Sequence, residues 1–331
     1  MHHGDFHPAC AAVIMSGMFR PPPTVLFLLT SALATTLAAQ SAPAAPAAQS
    51  APATQAAPAV APAFQPTRFI VQVAGSGPDV IMIPGLGSSR DVWKTEAAKL
   101  APHYRLHLIQ IRGFAGYKTG PNDKDPLLTP IVTELAQYIE AGHLDKPAII
   151  GHSLGGTLGL MLAAEHPQDV GKLMVVDALP FLAVLIDPKA TVDFIRPQAQ
   201  EMRKNLVEAT TNDFLMSEKG QIATLVKSPD QRTLVTFWTI NSDRKTLGNA
   251  LYDDMTTDLR PQMSKIQVPI TLLYPYDAGG QSSKKDVDKM YHDAYATAPH
   301  AMLVRIDDSA HFIMLDQPQK FDDAVQTFLK S

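Results

Sequence analysis

The sequence predicts an α/β domain with a mostly parallel, doubly wound sheet and an inserted helical cap. Short apolar runs alternate with stretches whose apolar residues recur three and four positions apart. Interior runs such as Val80–Ile83 are apolar throughout, which is typical of strands buried on both faces. The alternation stops once, over about residues 180–263, where the chain is helix-prone and lacks an interior strand pattern. These three observations together indicate a sheet covered on both faces, with a cap over it.

The elements follow in chain order. The first run alternates apolar and polar residues, as a half-exposed strand does, and the later strand runs are more continuously apolar. Strands are predicted at Arg68–Val73, Val80–Ile83, Tyr104–Ile109, Ala148–Ile150, Leu173–Val176, Ile270–Tyr274 and Met302–Ile306. Helices are predicted at Asp91–Leu100, Leu128–Ile139, Leu154–Ala164, Lys284–Ala296 and Pro318–Leu329.

The first 66 residues differ from the rest of the chain. Arg20 precedes an apolar run over residues 24–34, and small residues continue to Gln40, which is the pattern of a signal peptide over residues 1–40 with its upstream residues. The run is shorter than the ~20 apolar residues that span a bilayer. Residues 41–66 contain 12 Ala and 6 Pro and predict a disordered linker before a folded domain at 67–331. We therefore expect export to the periplasm or beyond, without a stable membrane span, or retention by an uncleaved N-terminal segment.

Charge and cysteine content exclude several classes of protein. The formal net charge is −4, and no long basic run suggests nucleic-acid binding. The single cysteine, Cys10, excludes an intrachain disulfide or a Cys-rich zinc site, and it precedes the expected cleavage zone. No dinucleotide motif, phosphate-binding loop or metal-ligand spacing appears, so no cofactor and no metal is expected. The oligomeric state stays open.

One motif carries a clear chemical signal. Gly151-His-Ser153-Leu-Gly155 directly follows a buried run and directly precedes a helical segment, which is the strand-turn-helix setting of a nucleophile elbow. Side chains at positions 151 and 155 would collide with the neighbouring elements in so tight a turn. The motif therefore predicts Ser153 as a nucleophile with an exposed hydroxyl.

A serine hydroxyl needs a base, and that base needs an acid to orient it. His311 fits the first role because it follows the strand Met302–Ile306 and precedes the last helix. Two acids fit the second role. Asp277 follows the strand Ile270–Tyr274 and is favoured, whereas Asp177 follows the strand Leu173–Val176 and is the alternative. Both lie between the serine and the histidine in chain order.

The oxyanion formed by attack on a carbonyl needs backbone N–H donors. The amide of Leu154, directly after the nucleophile, is one candidate, and that of Leu86, in the loop Pro84-Gly-Leu-Gly-Ser-Ser89, is the other. Apolar cap residues predict an acyl pocket over Ser153, with core packing as the competing interpretation. The residues proposed as its lining are Phe181, Leu182, Phe214 and Trp238.

Together these motifs resemble those of the α/β-hydrolase superfamily, in its capped, esterase-like branch, over about residues 68–331. Pro84 and Gln110 stand where that family usually has His and Asp. The resemblance implies a serine hydrolase that cleaves a carboxylic ester of a small or medium apolar substrate through an acyl-enzyme. An aminopeptidase or amidase, a C–C bond hydrolase and a non-catalytic binding protein on the same scaffold remain open. An aminopeptidase would need acidic groups in the cap, where Glu201, Glu208 and Asp213 occur.

Overall fold

The structure is a computed structural model that describes residues 64–280 and 282–331. The signal peptide expected over residues 1–40 lies outside the described residues. So does the linker expected over 41–66, apart from its last three residues.

Seven strands form one sheet in the order β1-β3-β2-β4-β5-β6-β7. Strand β1 pairs antiparallel with β3, and all other neighbours are parallel. The strands are β1 (Phe69–Ala74), β2 (Asp79–Ile83), β3 (Arg105–Ile111), β4 (Ala148–His152), β5 (Lys172–Val176), β6 (Ile270–Tyr276) and β7 (Ala301–Asp307). All seven predicted strands are confirmed, within a few residues at their ends.

Ten α-helices connect and cover these strands within the described residues. They are α1 (Lys94–Leu100), α2 (Leu128–Ala141), α3 (Leu154–Glu165), α4 (Val192–Glu208), α5 (Thr211–Leu225), α6 (Pro229–Ile240), α7 (Arg244–Thr256), α8 (Lys284–Tyr295), α9 (Ile313–Asp316) and α10 (Pro318–Lys330). The helix predicted from Asp91 begins as a 3₁₀ turn over Arg90–Trp93 and becomes α-helical at Lys94.

The sheet is buried on both faces, as the continuously apolar strands predict. Successive side chains of a strand point to opposite faces, and here they enter two separate apolar clusters. One face contributes Ile81, Ile149, Leu173 and Leu272, and the other contributes Met82, Ile150, Met174 and Leu273. This arrangement confirms the doubly wound α/β class.

Helices α4–α7 are inserted between β5 and β6 and form the cap. Part of the cap has an apolar core of its own, which includes Ile195, Met202 and Met255. The cap is also bonded to the main domain. The carboxylate of Asp253 accepts the backbone N–H groups of Leu127 and Leu128 at 2.6 and 3.1 Å, at the start of α2. These bonds fix α7 above the carboxyl ends of the parallel strands.

Candidate active site

Ser153 lies at the sharp turn between β4 and α3. Its backbone has φ +52° and ψ −121°, a conformation that costs a non-glycine residue energy and is found mainly at functional sites. The flanking glycines make the turn possible. A Cβ at Gly151 would lie 2.1 Å from the carbonyl oxygen of Gly155, and one at Gly155 would lie 2.2 Å from that of Ile83. The predicted elbow geometry is therefore present.

The loop after β2 passes directly against this elbow. A Cβ at Gly85 would lie 2.9 Å from Nδ1 of His152 and 3.1 Å from Cβ of Ser153, so only glycine lets the backbone approach this closely. This contact places the next residue, Leu86, beside the nucleophile. Leu154 is the first residue of α3, where a backbone N–H has no acceptor within its own helix. Both amides proposed for the oxyanion thus flank Ser153.

His311 lies in the loop after β7 and pairs with a carboxylate. Its Nδ1 is 2.6 Å from Oδ2 of Asp177, and the two side chains are only 19% and 11% exposed. Asp177 follows β5 directly and has φ +51°, which aspartate adopts more readily than bulky residues do. Its backbone N–H donates to the carbonyl of Leu273 at 2.8 Å, which fixes the turn. The backbone of Asp177, the partner of His311, is therefore held in place by a hydrogen bond to the neighbouring strand β6.

The preference for Asp277 as the partner of His311 is corrected by this geometry. Asp277 instead forms an ion pair with Lys227, with 2.7 Å between Oδ1 and Nζ. The physical reason is the length of β6. Val176 is level with Leu273 in the sheet, but β6 continues to Tyr276, so Asp277 lies three residues beyond the level of Asp177. At ~3.3 Å per residue this displaces it by about 10 Å along the strand direction.

Two further side chains support the histidine–aspartate pair, and no motif in the sequence indicates either role. The hydroxyl of Tyr291, on α8, donates to Oδ1 of Asp177. The ring of His152 lies 4.6 Å from that of His311, centroid to centroid, and its Nε2 is 3.1 Å from the carbonyl oxygen of His311. Complete burial holds the pKa of His152 well below its usual value. Because a carbonyl oxygen only accepts hydrogen bonds, Nε2 of His152 donates to the loop that carries His311.

A cavity of about 220 Å³ opens between the sheet edge and the cap, and Ser153, Asp177 and His311 all line it. Its apolar wall includes Leu179, Leu182, Leu185, Leu225, Val287 and Met290. Of the four predicted lining residues, only Leu182 is in this wall.

The prediction is wrong for Phe181, Phe214 and Trp238, which are packed inside apolar clusters instead. Phe181 lies beneath the guanidinium of Arg260 and Phe214 beneath that of Arg244.

One cap carboxyl group, which sequence reasoning missed, lines the same cavity. Asp254, on α7, accepts a hydrogen bond at 2.8 Å from the hydroxyl of Thr157, one turn after the nucleophile on α3. Burial raises the pKa of Asp254 to about 6. The cap acids singled out from the sequence, Glu201, Glu208 and Asp213, are exposed and lie outside the cavity wall.

Metal-holding clusters and membrane-spanning helices are both absent from residues 64–280 and 282–331. No group of three or more His, Cys, Asp or Glu side chains is placed there to hold a metal ion. None of the helices within the same ranges is both long and apolar enough to cross a membrane.

Known proteins resemble this chain over most of the described residues. A sequence profile of the α/β hydrolase fold family matches residues 78–318. The chain is 24% identical over 272 residues to a pimeloyl-acyl-carrier-protein methyl ester esterase of Aliivibrio fischeri, covering 78% of this chain and 96% of that protein.

Solved structures show the same fold. A hydrolase from Pseudomonas aeruginosa superposes with a TM-score of 0.66 at 19% identity, over 80% of this chain and 94% of the other. An esterase from Exiguobacterium antarcticum superposes with a TM-score of 0.65 at 19% identity, over 80% and 96%.

Proposed function

The chain belongs to the α/β hydrolase fold family and is an esterase-like serine hydrolase, and from this premise we propose that it cleaves carboxylic esters of small or medium apolar substrates through an acyl-enzyme. The observation that carries the proposal is the convergence in one cavity of a strained, solvent-facing Ser153 and a hydrogen-bonded His311–Asp177 pair. This is the arrangement that activates a serine hydroxyl for attack on a carbonyl carbon.

Each group has a defined part in the proposed reaction. Because Asp177 occupies Nδ1 of His311, Nε2 is left to take the proton of the Ser153 hydroxyl as that oxygen attacks the ester carbonyl. The amides of Leu86 and Leu154 donate to the oxyanion. His311 then returns the proton to the leaving alcohol, and the same base activates the water that releases the acid. Asp177 stabilises the imidazolium in both halves of the cycle.

The size and lining of the cavity support a short acyl group. About 220 Å³ accommodates a small organic group, and the leucine, valine and methionine side chains of the wall favour apolar carbon over water. The name of the Aliivibrio fischeri relative, a methyl ester esterase, and that of the Exiguobacterium esterase favour an ester over an amide.

The test is a panel of nitrophenyl esters of increasing acyl length, with matched anilides, assayed on wild type and on Ser153→Ala. We expect turnover of the short esters to fall by about 10³-fold or more in the variant. Ser228→Ala is the matched control, since Ser228 caps α6 without a side-chain hydrogen bond. Unchanged ester turnover in Ser153→Ala would contradict the proposal, and faster turnover of the anilides than of the esters would favour an amidase.

We also propose that the protein is exported, on the strength of the apolar run over residues 24–34 and the small residues that follow it. N-terminal sequencing of the mature protein from its native cell envelope tests this. A start near residue 40 is expected, and a mature chain that keeps residues 20–34 contradicts cleavage.

A further inference from the structure

The carboxyl group of Asp254 has no part in the reaction proposed above, although it lines the same cavity as Ser153 and His311. One of its oxygens, Oδ1, accepts the hydroxyl of Thr157. The other, Oδ2, has no hydrogen-bond partner among the residues that the structure describes. The side chain is half-buried, and a carboxylate oxygen that loses water to a bound substrate is costly to leave without a replacement donor. Asp254 lines the space in which a substrate would bind, so a substrate group is placed to supply that donor.

The charges around the cavity show what could fill it. Three aspartates line the cavity, and no lysine or arginine is among its lining residues. Asp177 is engaged by His311 and by Tyr291. Asp277 is paired with Lys227. Asp254 alone of the three has only a single neutral donor within the described residues. The cavity therefore favours a substrate group that donates hydrogen bonds and disfavours a substrate that carries a carboxylate of its own.

This preference for a hydrogen-bond donor acts mainly on the acyl group of an ester, because the acyl group stays in the cavity longer than the alcohol does. The alcohol leaves after the first half of the reaction, whereas the acyl group stays attached to Ser153 until water releases it. Thr157, whose hydroxyl binds Asp254, lies about one helical turn after Ser153, the residue that precedes α3, and all three residues line the cavity.

We propose that Asp254 is a specificity-determining residue that accepts a hydrogen bond from a hydroxyl or ammonium group on the acyl chain of the substrate. The inference deepens the proposed ester hydrolysis and rests on it. Asp254 moves no proton in the reaction. It makes the cavity select acyl chains that are apolar along their length and end in a donor.

The experiment compares three nitrophenyl esters of nearly equal size: butanoate, 3-hydroxypropanoate and 3-aminopropanoate. These differ in a terminal methyl, hydroxyl or ammonium group, and the leaving group is constant. The measured quantity is kcat/KM for each donor-bearing ester divided by kcat/KM for butanoate. We expect at least one ratio to fall by about tenfold or more in Asp254→Leu, the scale of a hydrogen bond to a charged group.

A second variant separates the two donors and guards against misfolding. Asp254→Asn keeps the shape of the side chain and removes its charge. An ammonium preference would be lost in this variant, whereas a hydroxyl preference would fall only partly. Glu201→Gln is the matched control, because Glu201 is an exposed cap carboxylate outside the cavity wall. Ratios within about twofold of wild type in both Asp254 variants would overturn the inference.

A binding measurement keeps the inference separate from the proposed function. If wild type turns over none of the three esters, ester hydrolysis fails, and calorimetry with n-propylammonium and n-propanol still tests Asp254. We expect at least one of these probes to bind wild type about tenfold more tightly than it binds Asp254→Leu, which has no acceptor oxygen at this position. Equal affinities for both probes would overturn the inference whatever the activity.

Discussion

The ends of β5 and β6 carry the same residue type and have different surroundings. Asp177 at the end of β5 is 11% exposed and is held by His311 and Tyr291. Asp277 at the end of β6 is 36% exposed and pairs with Lys227 from the cap. Both carboxylates line the same cavity. Their difference arises from strand length, because β6 runs three residues past the level at which β5 stops.

The comparison shows that sheet register, and not order along the chain, selects the partner of the histidine. Parallel pairing places His152, the last residue of β4, level with Val176, the last residue of β5. The residues that follow them, Ser153 and Asp177, therefore leave the sheet at the same level. Asp277 lies three residues beyond that level along the direction of β6. Asp277 instead connects the loop after β6 to the cap through its ion pair with Lys227.

The largest predicted difference is between the same substitution, Asp to Asn, made at each of these two acids. Asp177→Asn should lower kcat for ester hydrolysis by about 10²- to 10⁴-fold, because the neutral amide does not stabilise the imidazolium of His311. Asp277→Asn should stay within about twofold of wild type, as is usual for a partly exposed side chain away from the reacting atoms. Steady-state kinetics on one nitrophenyl ester measures both.

The outcome that would reverse the assignment is a severe loss in Asp277→Asn with near-normal turnover in Asp177→Asn. Thermal unfolding of both variants is the control, since a variant that is largely unfolded at the assay temperature gives no information about the acid.

A smaller effect tests whether the environment of Asp177 matters beyond its charge. Tyr291→Phe removes the hydroxyl that donates to Oδ1 of Asp177. The loss of one such hydrogen bond, worth about 0.5–1.5 kcal/mol, should reduce kcat by about 2- to 10-fold. The same change at Tyr295, whose hydroxyl donates to the carbonyl of Ala178, is the matched control. A loss in Tyr295→Phe equal to that in Tyr291→Phe would show a general packing effect.

The smallest effect concerns the ion pair at the end of β6. The hydrogen bond from Lys227 holds the pKa of Asp277 below its usual value. The pair therefore stabilises the fold above the ordinary carboxyl pKa, and this stabilisation is lost as the pH falls through the lowered pKa. Because both side chains are more than a third exposed, solvent screening limits it to less than about 1 kcal/mol.

Urea unfolding of Lys227→Gln and wild type near pH 7 and near pH 3 measures this contribution. The difference in unfolding free energy should be small at the higher pH and smaller still at the lower. A difference that grows on acidification would contradict a lowered pKa of Asp277 in the folded protein.

Much of the fold could be predicted because the sequence pattern is local. Continuous apolar runs such as Val80–Ile83 have few other stable placements than an interior strand, and the glycines around Ser153 require a tight turn. The loss of that alternation predicts the helical cap. Strand ends are harder to place from sequence: Pro275 and Tyr276 continue β6 beyond the predicted boundary at Tyr274.

The candidate site was predictable only in part, because several of its properties depend on distances between elements. Nothing in the local sequence around Asp277 gives its height relative to Asp177. An aromatic residue such as Phe181 fits a cap core or a cavity wall equally well in sequence, and the packing decides. Asp254 was missed because which helix face meets the cavity depends on how α7 docks, partly through Asp253.

The most direct test of the proposed mechanism is to find the acyl group on the enzyme. Wild type and Ser153→Ala are mixed with nitrophenyl butanoate, quenched in acid within one turnover and analysed by peptide mass spectrometry. We predict that wild type gains the mass of one butanoyl group on the peptide that contains Ser153 and that Ser153→Ala gains none. A butanoyl group on another residue, or rapid ester turnover without any trapped acyl group on Ser153, would contradict the mechanism.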